Sequence, residues 1–74
     1  MLSFHVESQF NSLQVDLDAK GMAVLMGALA KLVGERASHV HLCAPGAGGT
    51  DLDATTSSGD KAFLEVIINY YEGD

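Results

Sequence analysis

The sequence predicts an α+β fold. The expected architecture is a two-layer sandwich, with one helix on one face of a mostly antiparallel four-stranded sheet, in the order β-β-α-β-β. Three observations predict it. Residues 18–34 carry the apolar spacing of a single helix. Two alternating runs precede that stretch and two follow it. Polar or glycine-rich segments separate the runs, and neither a repeat nor a linker divides the 74 residues, so residues 1–74 form one domain.

The first run alternates Leu2, Phe4 and Val6 against Ser3, His5 and Glu7. Residues 8–12 are polar and turn-like apart from Phe10. Leu13, Val15 and Leu17 then alternate with Gln14 and Asp16, so the first two strands read as a hairpin. Asp18 is placed to cap the helix that follows. Met22, Leu25, Met26, Leu29, Leu32 and Val33 recur at i, i+3, i+4 and i+7, and this stripe is the expected core face. Gly27 lies beside the stripe and marks an expected close approach of a strand. Gly34 is the expected helix-ending residue with positive φ. Residues 35–38 form a short polar return.

His39–Cys43 is the third strand, with Val40 and Leu42 on one face and His39, His41 and Cys43 on the other. Pro45 and the glycines after it are expected to exclude regular structure. Leu52 is the one large apolar residue between Cys43 and Phe63, and it anchors either a brief extended piece or a further weak strand. The order of residues 44–60 is left open. A second turn cluster spans residues 55–60. Residues 61–71, rich in β-branched and aromatic types, read as the longest strand, with Phe63, Glu65 and Ile67 opposite Leu64, Val66 and Ile68.

Composition narrows the function classes. Four Lys and Arg against ten Asp and Glu give a net charge of −6. Phosphate binding needs clustered cations, so nucleic acid is not an expected ligand. An acidic surface steers toward a basic partner. A single Cys provides no internal disulfide. No apolar run spans a bilayer, and residues 1–8 lack the basic and apolar regions of a signal peptide, so the expectation is a cytoplasmic protein away from membranes.

Three constellations carry residue types with candidate chemistry. His39 and His41 stand about 7 Å apart on one strand face, Cys43 continues the row, and His5 could face it from another strand. Those four form a conceivable zinc site, although no CxxC or HExxH motif accompanies them. Cys43 beside a histidine has the residue types of a nucleophile and base, but no third residue orients the base. The loop APGAGGTD lacks the GK[ST] ending of a phosphate cradle. No catalytic residue and no cofactor are therefore assigned, and the chain is not expected to be an enzyme.

His39-Val40-His41-Leu42 after the helix, Gly48-Gly49-Thr50-Asp51-Leu52, and the closing apolar run from Phe63 to Ile68 together resemble small bacterial immunity proteins of the immunity-protein-32 type. The resemblance implies a cytoplasmic antidote that neutralises a toxin by binding it, and it brings no catalytic residue. Read from the residues, the sheet face away from the helix carries His5, Gln14, Asp16, His39, His41, Phe63, Glu65 and Ile67. This face is more apolar than a solvated sheet face requires. The expectation is a protein-binding module with Phe63 and Ile67 as anchors and His39, His41 and Glu65 around them. The same face is expected to support a homodimer.

Overall fold

The computed structural model describes residues 1–36, 38–56 and 58–71. Ala37 in the expected return and Ser57 in the expected second turn lie outside the described residues. Four strands and one helix follow the expected order: β1 (Leu2–Glu7), β2 (Ser12–Leu17), α1 (Ala19–Gly34), β3 (His39–Cys43) and β4 (Glu65–Asn69). The expected single four-stranded sheet is not formed. Two antiparallel two-stranded sheets take its place, β1–β2 and β3–β4.

The physical reason lies in how the second hairpin meets the first. Two backbone bonds join them along the free edge of β1: Asp53 N–H donates to the Leu2 carbonyl at 2.8 Å, and Phe63 N–H donates to the Phe4 carbonyl at 2.9 Å. Ala44 N–H in turn donates to the Leu64 carbonyl at 2.8 Å. The end of the β3–β4 hairpin therefore abuts β1, and no full ladder runs beside it. Phe63 and Leu64 serve this junction and Ala62 N–H donates to the Ala54 carbonyl, so β4 is shorter than the expected run over residues 61–71. Lys61 forms an isolated antiparallel bridge with Thr55.

Within each hairpin the register follows the alternation. Leu2 opposes Leu17, Phe4 opposes Val15 and Val6 opposes Leu13. Val40 opposes Ile68, Leu42 opposes Val66 and Cys43 opposes Glu65. Pro45–Ala47 forms one 3-10 turn, where no regular structure was expected. Proline fixes φ at a value the first position of such a turn accepts, so it starts the turn rather than preventing it.

Leu2, Phe4, Ala28, Leu42, Ala44 and Leu52 make the core, with Leu17, Val24, Leu25, Val40, Val66 and Ile68 packed around it. The helix face that enters the core overlaps the expected stripe only at Leu25 and Leu32. Gly21, Ala28 and Leu32 are buried, while Met22, Met26, Leu29 and Val33 are exposed. At 100° per residue the buried side is turned by roughly 85° from the centre of the expected six-residue stripe. Close approach at the helix start dictates this. A Cβ on Gly21 would stand 1.7 Å from the Met1 carbonyl oxygen and 3.2 Å from Leu17 Cβ. The helix start thus packs against the backbone of Met1, and Ala28 and Leu32 continue the buried line. Gly27, the expected site of close approach, has no atom within 4 Å of a built Cβ.

The helix ends are set by local chemistry. Asp18 Oδ1 accepts the Gly21 N–H at 2.9 Å, as expected of an N-cap. The same carboxylate pairs with the Met1 ammonium. At the other end Gly34 stays helical, and the left-handed φ of 52° falls on Arg36.

Candidate functional site

The outer face of β3–β4 assembles most of the residues expected to meet a partner. Cross-strand register sets Cys43 beside Glu65, His41 beside Ile67 and His39 beside Asn69. Val40 and Leu42 alternate inward, so the two imidazoles must point outward. His39 and His41 meet edge to face with ring centroids 4.9 Å apart. His41 Nδ1 lies 3.1 Å from Glu65 Oε2. The Cys43 thiol donates to that same oxygen at 3.7 Å. Ser38 Oγ is 3.1 Å from His39 Nδ1. Glu65 therefore sits at the centre of a hydrogen-bonded row along the hairpin.

Ile67 stands exposed opposite His41 in that row, and Phe63, two residues before β4, is exposed as well. Phe63 is fixed from below, because its backbone N–H is committed to β1. The site thus has two apolar side chains on ordered backbone and a polar border of imidazoles and a carboxylate. Each polar contact is solvent-accessible, so each contributes little to stability.

The reverse face does not continue evenly onto β1–β2. Gln14 is exposed there, but Ser3 is fully buried and His5 is half-buried. His5 Nδ1 lies 3.8 Å from Asp16 Oδ2, on its own hairpin. The candidate zinc set of His5, His39, His41 and Cys43 is therefore not brought together. Among the described residues no three His, Cys, Asp or Glu side chains converge to hold a metal ion.

Cys43 is no poised nucleophile. Partial burial raises its pKa, and the charge of Glu65, its hydrogen bond to that carboxylate, and the charge of Asp51 raise it further. The thiolate is the reactive form, and this setting disfavours it.

A feature the sequence did not reveal lies between α1 and β3. A cleft of about 420 Å³ runs there, lined by Ala23, Gly27 and Lys31 on the helix and by His39 and His41 on the strand. Cys43 N–H and C=O turn away from β4 toward Asp51 and Leu52. By ladder alternation the backbone groups of His39 and His41 face the same way, along the edge that opens into the cleft.

No protein-family model, curated protein or solved structure matches this chain. Among the described residues no helix is long and apolar enough to cross a membrane.

Proposed function

We propose that this chain is a non-enzymatic, cytoplasmic protein-binding module that docks a partner on the outer face of β3–β4. The observation that carries this reading is the pair of exposed apolar side chains, Phe63 and Ile67, beside the ordered His39, His41 and Glu65 row. An apolar centre with a polar border is the anatomy of a docking surface. The net charge of −6 favours a basic partner through faster encounter. Taken with the resemblance to small immunity proteins, the partner is a toxin that the module occludes.

Co-expression with the product of an adjacent toxin-like gene tests this. The wild-type chain should co-purify with that product and protect the cells. Phe63→Asp combined with Ile67→Asp should abolish both effects while the far-UV spectrum is retained. Binding unchanged in the double variant would remove the proposed surface. A neighbouring gene product that neither binds nor harms the cell would remove the antidote reading.

A further inference from the structure

We propose that a second surface, on the opposite side of the molecule, joins two copies of this chain. It consists of the exposed flank of α1 together with the overhanging end of the β1–β2 hairpin. On the helix, Met22, Met26, Leu29 and Val33 fall within about 40° of one line at 100° per residue. On the hairpin, Val6, Leu13 and Val15 belong to the helix-side face by register, and Phe10 lies in the turn that joins the strands. All eight are between 40% and 70% exposed.

Both groups lie on the same side. The cleft residues Ala23, Gly27 and Lys31 mark the flank of α1 that faces the β3 edge. The Met22–Val33 line is on the opposite flank. β1 begins beside Asp53 and passes Phe63 at Phe4. Val6 and its partner Leu13 therefore continue past β4, away from the cleft. Helix α1 packs mainly on β1 and β3, which leaves this end of the hairpin uncovered.

Area and charge identify the occupant as a second copy. At roughly 100 Å² of exposed side chain each, the eight residues present roughly 800 Å². This equals what one partner buries in a standard interface and exceeds the ~300–600 Å² of the largest patch on a typical monomer. The surface is also uncharged. The two charged residues of α1, Lys20 and Lys31, lie on the far flank, and Glu7 and Asp16 alternate to the other face of the hairpin. Two chains of net charge −6 repel one another across most orientations, and this flank brings no acid against acid. A basic partner would gain nothing from it. An apolar surface that carries no charge is complementary to itself, as a two-fold contact requires.

This places self-association on the helix side, not on the Phe63–Ile67 face where the alternation first suggested it. It does not depend on the partner-binding proposal, because the two surfaces are separate. Light scattering on the untagged chain over a wide concentration range tests it. The wild type should have twice the 7.8 kDa chain mass. Met26→Glu with Val33→Glu should be monomeric at concentrations where the wild type is fully dimeric, and Ile67→Asp should leave the dimer intact. If the double variant fails to fold, cross-linking decides. In a Cys43→Ser background, Met26→Cys should form a disulfide-linked dimer under mild oxidation, and Gln14→Cys should not. A monomeric wild type, a dimer lost through Ile67→Asp, or equal cross-linking at both positions would overturn the proposal.

Discussion

The same substitution at two glycines of α1 should change stability in opposite directions. Gly27→Ala places a methyl group in open space and removes the entropic cost of glycine in a helix. It should stabilise by about 0.8–1 kcal/mol. Gly21→Ala gains the same helix propensity but sets its Cβ 1.7 Å from the Met1 carbonyl oxygen and 2.6 Å from the Met1 carbonyl carbon. The contacting atoms are backbone, so a rotamer change cannot relieve them. They must separate by roughly 1.5–2 Å to reach van der Waals distance. That movement breaks the 3.2 Å bond from Asp18 N–H to the Met1 carbonyl. It also displaces Leu2, the adjacent core residue. Overpacking at ~1–3 kcal/mol and a lost hydrogen bond at ~0.5–1.5 kcal/mol outweigh the propensity gain, leaving a net loss of about 1–3 kcal/mol. The two variants should therefore differ by roughly 2–4 kcal/mol, or ~10–25 °C in Tm for a domain of this size. Urea unfolding followed by far-UV circular dichroism, at one fixed chain concentration, measures the difference. A Gly21→Ala variant as stable as the wild type, or a Gly27→Ala variant less stable than Gly21→Ala, would refute the packing of the helix start on Met1 and with it the identity of the buried face.

Three further outcomes follow from individual contacts. The hydroxyl of Ser3 is fully buried with no hydrogen-bond partner among the described residues, so Ser3→Ala should preserve or raise stability by up to about 1 kcal/mol, read as the urea midpoint. Alkylation of Cys43 should reach half its limiting rate at a pH above that of an ordinary thiol, and Glu65→Gln should move that midpoint down by removing the nearby charge. The Asp18 carboxyl is held below its usual range first by the Met1 ammonium and then by the Gly21 N–H. A lowered folded-state value means that its stabilising effect is present above the ordinary carboxylate pKa and is lost as pH falls through the folded one. Thermal melts should drop at acidic pH in the wild type, and the drop should be smaller in Asp18→Ala.

The element order and the inward and outward residues of β3 were legible because local alternation fixes them. Val40 and Leu42 point to the core, His39 and His41 point out, and Asp18 caps α1 as its chemistry requires. The buried face of α1 was legible only in part, through Leu25 and Leu32. Periodicity records where large apolar side chains recur, and Met22, Met26, Leu29 and Val33 satisfy it without entering the core. The signal that distinguishes the two faces is Gly21 with Ala28, small residues seven apart, whose role becomes visible only once the approach to Met1 is known. The division into two sheets is hidden in the sequence for a similar reason. Residues 61–64 alternate like a strand, but Phe63 and Leu64 spend their backbone groups on Phe4 and Ala44, joining two hairpins rather than extending one. The grouping of Ile67, His41 and Glu65 could be foreseen because one hairpin register supplies it. His5 could not be placed, since its position depends on how separate hairpins meet.

Residues 51–53 have a consequence for how the chain acquires its shape. Asp51 and Leu52 donate to the Cys43 carbonyl, and Asp53 exchanges bonds with Leu2 in both directions, through its backbone N–H and its carboxylate. The first strand is therefore clamped by a piece of chain made some fifty positions later. During synthesis the opening hairpin must wait, one edge unsatisfied, until that clamp and Phe63 emerge. Loop closure over such a span delays assembly, so folding should proceed as one late concerted event, with no early hairpin stable by itself.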